Sequence, residues 1–235
     1  MSANRTVKLS LSPDELLRYV IAQCNNLFPD GKICADGGLT RCFDDALMRL
    51  EHCFIHIRRK YFFDGQSFLF DHLQSDQYSM FLYLLSNSVY RSVGRHPFAN
   101  KIYYLNKALH SIDVYYEVTM PEIFLFRHCV GTVLGRAEYK NYFTIGQNCT
   151  VGNNRGVYPI FSEGCAMYSG SSVVGDCKVG RNTHIAARSF VRNATIPDNS
   201  LVIGYAPDLA VKPTNASVIE SFFNSFGKRL APGDD

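Results

Sequence analysis

The hydrophobic positions in the second half of the chain recur with a period of six. Large apolar residues stand six apart, and a small residue follows each of them after four positions. The large set is Phe161, Met167, Val173, Val179, Ile185 and Val191, and the small set is Cys165, Ser171, Cys177, Thr183, Ser189 and Thr195. Helices repeat every 3.6 residues and strands every 2, so neither has this period. A chain that turns a corner every six residues has this period, and its stacked coils would bury a continuous core. The pattern therefore predicts a β-helix.

An earlier block keeps the same period. Its large positions are Val133, Tyr139, Ile145, Val151 and Val157. The next large position, Phe161, comes after four residues instead of six. We interpret this slip of phase as a loop expelled from the coil, which places a surface loop over Asn153–Pro159.

The region before the repeat is helical in pattern. Ser12-Pro13-Asp14-Glu15 supplies a cap residue, a proline at the first helical position and two acids in the first turn. Apolar stripes at helical spacing follow at 16–27 and 43–57, and further helical stretches lie at 66–93 and 97–112. This pattern predicts several helices before the β-helix begins.

These patterns predict an α+β fold in three parts. A helical N-terminal domain covers residues 1–112, and the β-helix covers 113–213. A C-terminal helix and tail occupy 214–235, with an amphipathic helix expected at 217–226.

Composition narrows the possible functions. A chain with 46% hydrophobic and 19% charged residues is globular, and a net charge of +3 is too small to predict nucleic-acid binding. No stretch approaches the ~20 apolar residues that span a bilayer, so we expect no transmembrane segment and a cytoplasmic location.

The eight cysteines form no C-x-x-C pair, which favours structural thiols. His52 and His56 lack a third ligand nearby, so we expect no metal.

One segment resembles a known enzyme family. Residues 128–135, with His128, Gly131, Val133 and Gly135, are similar to the H-x-x-G-x-V-[IVL]-G stretch of serine acetyltransferases and related hexapeptide acyltransferases. Further similar stretches follow in order at 145–152, 167–172, 185–189 and 202–207. The resemblance covers roughly 121–213. The resemblance implies an acyltransferase domain with a left-handed β-helix. Its handedness comes from the resemblance alone, because crossover connections between parallel strands are usually right-handed. The resemblance also implies a homotrimer that could pair into a hexamer, with each active site between two subunits.

The resemblance implies that His128 is the general base and that acetyl-coenzyme A is the donor. The imidazole of a histidine can take the proton of an acceptor hydroxyl as its oxygen attacks a thioester. In the family an Asp stands beside this histidine, but here Arg127 takes that position. Asp113 lies at a suitable distance upstream to orient the imidazole, and Glu117 is the alternative. Asp76-Gln-Tyr-Ser also resembles a family motif, although a plain helix cap would explain it.

The acceptor site departs from the family pattern. Serine acetyltransferases carry Arg-His before the loop proline, whereas this chain has Val157-Tyr158 before Pro159. A guanidinium is the best group to hold a carboxylate, and an aromatic ring with amides suits a sugar. We therefore favour a saccharide or polysaccharide precursor over L-serine, which is the alternative. The candidate substrate-binding residues are Asn153, Asn154, Arg155 and Tyr158.

The resemblance also places coenzyme A in a groove between neighbouring coils of two subunits. The candidate cofactor-binding residues are Ser169, Gly170, Ala186 and Ala187, with Arg188 and Lys212 toward the phosphates. A hypothesis of another class is a catalytically inactive hexapeptide scaffold or assembly protein. Such a scaffold would have no use for an imidazole at position 128 and would not bind acetyl-coenzyme A.

Overall fold

Four helices form the N-terminal region. The structure is a computed structural model that describes residues 6–31 and 37–223. The helices are α1 (Pro13–Leu27), α2 (Gly37–Phe54), α3 (Ser75–Val93) and α4 (Pro97–His110). The predicted cap of α1 is confirmed, because the Ser12 side chain accepts from the Glu15 N–H and the Glu15 carboxylate accepts from the Ser12 N–H. None of the helices in the described part of the chain is both long and apolar enough to span a membrane.

Helix α3 is the centre of this region. Its residues from Asp76 to Val89 are all buried, with α2 and α4 packed against it. Two short strands, β1 (Val7–Leu9) and β2 (Phe68–Phe70), pair in parallel beside it. The core is aromatic: the Phe81 ring lies 5.8 Å from Phe43 and 5.5 Å from Phe70. The large apolar area removed from water here stabilises the platform against which the β-helix packs.

The remainder of the chain is a parallel β-helix followed by a hairpin and a fifth helix. The strands are β3 (Asp113–Val114), β4 (Phe124–Phe126), β5 (Val133–Leu134), β6 (Glu138–Tyr139), β7 (Phe143–Ile145), β8 (Thr150–Gly152), β9 (Ile160–Phe161), β10 (Cys165–Met167), β11 (Ser172–Val174), β12 (Lys178–Val179), β13 (Thr183–Ile185), β14 (Phe190–Arg192), β15 (Thr195–Ile196), β16 (Ser200–Tyr205) and β17 (Asp208–Pro213). Helix α5 covers Val218–Phe222. The predicted order of helical region, β-helix and short C-terminal helix is confirmed, while residues 224–235 lie outside the described residues.

The strands stack into three parallel ladders. The first ladder contains β4, β7, β10, β13 and β16, the second contains β3, β5, β8, β11 and β14, and the third contains β6, β9, β12 and β15. Side chains in register form inward columns. The column of the first ladder is Phe126, Ile145, Met167, Ile185 and Val202. These columns are the continuous core that the period of six predicted.

The inward positions agree with the prediction from Phe161 to Val191, all of which are buried. Two predicted inward residues, Val133 and Val157, are instead exposed, and Leu134 takes the inward place. Val133 lies six residues before Tyr139, but the buried Leu134 is only five residues before it, so the corner between β5 and β6 is one residue shorter than the repeat. Val157 lies in the loop between β8 and β9 and belongs to none of the ladders.

A similar shift occurs near the last coil. Thr195 continues the series of small residues but is exposed, whereas the five earlier members from Cys165 to Ser189 are buried. The buried residue of this coil is Ile196, which pairs with Val179 of the large series. The corner between Val191 and Ile196 therefore takes five residues. The predicted loop at 153–159 is confirmed, since it connects β8 to β9 and closes with Asn154 and Val157 exchanging backbone hydrogen bonds of 3.0 and 3.1 Å. Among the described cysteines, all seven are free and buried.

After β17 the chain runs back along one corner of the β-helix. We call residues 214–223 the C-terminal strap. The Thr214 N–H donates to the Asn199 carbonyl, and the Asn182 side chain bonds the carbonyl of Ala216 and the N–H of Val218. The strap then reaches the helical region, where the Arg58 N–H donates to the carbonyl of its residue 222 at 3.0 Å. The strap therefore ties the end of the β-helix to the helical region.

Candidate active site

His128 lies in the six-residue turn, residues 127–132, between β4 and β5. Its backbone has a positive φ of 47°, and its side chain is 82% exposed. The backbone N–H of His128 donates to Oδ1 of Asp76 at 2.8 Å, and the ring Nδ1 lies 4.0 Å from Oδ2. The second distance is too long for a hydrogen bond but is within ion-pair range. One carboxylate therefore bonds the backbone of this histidine and lies within ion-pair range of its ring.

Asp76 comes from the first turn of α3, at the face of the helical region that meets the β-helix. Its side chain is only 11% exposed. Burial raises the pKa of this carboxyl, and the hydrogen bond from the His128 N–H partly offsets that rise. A buried carboxylate beside an exposed imidazole is a pair that can fix the tautomer of the ring and stabilise its protonated form.

Asp113, which was predicted to orient His128, has other partners in the structure, and its role at the histidine stays a prediction. Both of its carboxylate oxygens are engaged elsewhere, one by the Tyr103 hydroxyl at 2.6 Å and the other by the Lys107 ammonium at 2.6 Å. Asp113 begins β3, which pairs with Val133 beyond the turn that carries the histidine.

The alternative acid, Glu117, is also engaged elsewhere. Its two oxygens accept from Arg95 and Arg136, each at 2.8 Å. The carboxylate beside His128 is Asp76, which lies 52 positions earlier in the chain. The resemblance of residues 76–79 to a family motif was the signal that could have found it.

Arg127, which replaces the family's acid, points into the protein. Its Nε donates to the Thr144 hydroxyl at 3.0 Å. Its guanidinium lies over two rings, 4.4 Å from the centroid of Phe222 and 5.4 Å from that of Tyr168. Burial lowers the pKa of this guanidinium. The side chain is therefore held in place by stacking and by a neutral hydroxyl.

A cleft of about 290 Å³ opens beside His128. It is lined by Arg59, Lys60, Tyr61, Phe62, Gln74, Asp76, Leu125, Arg127 and His128. The cleft lies between the helical region and the first coils, so each side of it comes from a different part of the chain. Its size and its mixture of aromatic and charged walls suit a small polar molecule. Within the described residues, no cluster of three or more histidine, cysteine or acidic side chains could hold a metal ion.

Most of the predicted cofactor-binding residues stack at the corner that carries His128. The Asn148 N–H donates to the Val130 carbonyl, and the Gly170 N–H donates to the carbonyl of Gln147 in the next coil. The Arg188 N–H donates in turn to the Ser169 carbonyl at 2.9 Å.

The remaining cofactor candidates continue this arrangement. Ala186 and Ala187 belong to the same turn as Arg188, directly after β13. Lys212 lies on β17 opposite Leu201 of the first ladder. A row of small-residue turns therefore leads away from the histidine along the β-helix. Their role in binding a cofactor stays a prediction.

The predicted substrate loop lies at a different corner. Asn153, Asn154, Arg155 and Tyr158 connect the second ladder to the third, whereas His128 connects the first to the second. The loop is folded on itself, since the Asn153 amide lies 3.2 Å from the Tyr158 hydroxyl and accepts from the Gly156 N–H. The second ladder separates this loop from His128 in one chain.

Comparison with known proteins supports the fold. No protein-family model matches the chain, and no curated protein matches it. Among solved structures, the serine acetyltransferase of Neisseria gonorrhoeae superposes with a TM-score of 0.64 at 15% identity, covering 88% of this chain and 81% of that chain. A hexapeptide-repeat serine O-acetyltransferase from Brucella melitensis has a TM-score of 0.64 at 17% identity, covering 88% and 84%. The Brucella abortus serine acetyltransferase in complex with coenzyme A has a TM-score of 0.58 at 15% identity, covering 86% and 76%.

At these identities the likeness establishes the fold alone. The helical region followed by a hexapeptide β-helix is the architecture that this chain shares with solved serine acetyltransferases. The structural neighbours are thus members of the family that the sequence resembles. The left hand of the β-helix stays a prediction of that resemblance.

Proposed function

We propose that this protein is an O-acetyltransferase that uses acetyl-coenzyme A and His128 as its general base. The observation that carries the proposal is the contact of His128 with the buried Asp76 carboxylate. This contact lies at the first of the stacked turns that contain the predicted cofactor-binding residues. The fold adds support, because serine acetyltransferases share it and one of them was solved with coenzyme A.

The chemistry follows from the geometry of this pair. With a proton on Nδ1 facing Asp76, Nε2 is free to accept the proton of the acceptor hydroxyl. The hydroxyl oxygen attacks the acetyl carbonyl, the carbon–sulfur bond breaks, and the imidazolium returns its proton to the leaving thiolate. Asp76 stabilises the imidazolium while it exists, and backbone N–H groups would stabilise the tetrahedral oxyanion.

For the acceptor we now favour L-serine over the saccharide. The solved structures that superpose on this chain are serine acetyltransferases, which supports the alternative drawn from the sequence. The absence of an arginine before Pro159 was the argument for a sugar. Two arginines line the cleft beside His128, so the loop is not the chain's only source of a guanidinium there.

We further propose a homotrimer in which the loop at 153–158 of one subunit faces the His128 cleft of its neighbour. Support comes from the position of that loop, which lies one ladder away from His128 in its own chain. An assembly that brings the two corners together would complete the site.

The substitution of His128 by alanine tests the function. Loss of a general base costs roughly 10²–10⁴-fold in rate, and the exposed side chain has little role in folding. We expect thiol release from acetyl-coenzyme A in the presence of L-serine to fall by this factor, while light scattering shows an unchanged assembly. His52→Ala is the matched control, since this half-exposed histidine lies outside the cleft.

Two results would contradict the proposal. Full turnover by His128→Ala would remove the histidine from the mechanism. Failure of the wild-type protein to bind acetyl-coenzyme A in calorimetry would favour the scaffold hypothesis, because a scaffold has no reason to bind the donor.

A further inference from the structure

The cleft beside His128 holds more positive than negative charge. Arg59, Lys60 and Arg127 line it, against the single carboxylate of Asp76, which already contacts His128. Among the described residues, the ion pairs involve neither Arg59 nor Arg127. Arginines that are partly removed from water usually face a carboxylate or another anion. Two such arginines in one cleft point to an anionic ligand.

The two guanidinium groups are held in place by the C-terminal strap. The Arg59 Cζ lies 4.8 Å from the centroid of the Phe222 ring, and the Arg127 Cζ lies 4.4 Å from the same centroid. Arg127 is fixed further by its bond to Thr144. Burial lowers the pKa of both groups, and the charge of Arg59 also lowers the pKa of Arg127. The charge of Asp76 acts on Arg127 in the opposite direction, raising its pKa, so the carboxylate in the cleft offsets part of the positive charge there.

We propose that Arg59 and Arg127 form an anion-binding site that holds the carboxylate or phosphate of the acceptor. The assignment of that anion to the acceptor rests on the proposed function, because His128 lines the same cleft. Planar guanidinium groups bind carboxylate and phosphate oxygens in pairs, which orients the ligand as well as binding it. The site supplies the guanidinium that Val157-Tyr158 lacks. It selects an anionic hydroxyl compound over a neutral saccharide.

The binding test compares ligands that differ in the anion. L-serine is paired with L-serinamide, and glycerol 3-phosphate with glycerol. Each is titrated by calorimetry into the wild-type protein, Arg59→Met and Arg127→Met. Methionine keeps an apolar stem against Phe222 and removes the guanidinium, which in Arg127→Met also removes the hydrogen bond to Thr144. Arg95→Met is the control, because this exposed arginine lies outside the cleft and the change in net charge is the same.

We expect at least one anionic ligand to bind about 10- to 100-fold more tightly than its neutral partner, as for a hydrogen bond to a charged group. Arg59→Met should abolish that preference, and Arg95→Met should keep it. Preference for L-serine identifies a carboxylate acceptor, and preference for glycerol 3-phosphate identifies a phosphorylated one. In steady-state assays Arg59→Met should raise KM for the acceptor by a similar factor with little change in kcat.

Other results would overturn the anion site. One is equal binding of each anion and its neutral partner by the wild-type protein. Another is weaker binding of acetyl-coenzyme A to Arg59→Met with unchanged acceptor binding, which would assign the cations to the donor's phosphates. The proposed function fails separately: if the anionic ligands bind as expected but no thiol is released, the anion site stands and the acetyl transfer does not.

Discussion

The substitution Asp76→Asn isolates the contribution of the carboxylate to the proposed reaction. Asparagine keeps the shape of the side chain and an oxygen that can accept the backbone N–H of His128, which now bonds Asp76 at 2.8 Å. The negative charge 4.0 Å from Nδ1 is lost. The amide can also donate to the ring, which would favour the tautomer with its proton on the wrong nitrogen. We therefore expect a folded protein with a slower chemical step.

The size of the effect follows from the charge separation and the exposure of the two groups. Unit charges at 4 Å interact by about 1 kcal/mol in water and about 4 kcal/mol at an effective dielectric constant near 20. The imidazole is 82% exposed and the carboxylate 11% exposed, so solvent screens the pair on one side only. We take about 1–3 kcal/mol, which corresponds to a loss of about 5- to 150-fold in kcat.

The assay is thiol release from acetyl-coenzyme A at saturating acceptor, with the thermal midpoint measured in parallel. Asp113→Asn is the control, because that carboxylate bonds Tyr103 and Lys107 and should affect stability without a specific loss of kcat. The reasoning would be refuted if Asp76→Asn kept wild-type kcat, or if Asp113→Asn lost kcat by the larger factor at an unchanged thermal midpoint.

Two further predictions concern the β-helix itself. Phe161→Ala removes a fully buried ring that stacks on the Tyr139 ring at a centroid distance of 5.5 Å. We expect the free energy of unfolding, measured by denaturant titration, to fall by about 3–5 kcal/mol. A loss below about 1 kcal/mol would contradict the inward column. Asn182→Ala removes two hydrogen bonds that anchor the C-terminal strap, at 2.9 and 3.0 Å. We expect about 1–3 kcal/mol of destabilisation and faster proteolysis within the strap, whereas unchanged cleavage there would show that other contacts hold it.

The coils could be predicted from the sequence because every coil requires the same residue types at the same spacing. A large residue must point inward every six positions, and the six from Phe161 to Val191 all do so. The prediction failed where a turn changes length, at Val133 and at Thr195. A periodic pattern cannot show how many residues a corner uses when two adjacent residues are both apolar, as Val133 and Leu134 are.

The site was harder to predict because its parts are distant in sequence. His128 was identified from its own motif, but its partner Asp76 belongs to another structural unit. The upstream distance that favoured Asp113 is a local criterion, and local neighbours on α4 already satisfy that carboxylate. In the sequence Arg59 is marked only by its place in the basic run Arg58-Arg59-Lys60, because its proposed role depends on where the C-terminal strap places the ring of Phe222.

The return of the C-terminal strap to the helical region changes how the β-helix should come apart. Stacked coils behave as a nearly one-dimensional array, in which the terminal coil has neighbours on one side only and opens first. Here the strap leaves the last coil and bonds the coil of Asn182 before it reaches the chain beside Arg58. Peeling the last coil away therefore also requires breaking contacts with the helices. Both ends of the array are fastened to the same block, so local opening gives way to a single cooperative unit.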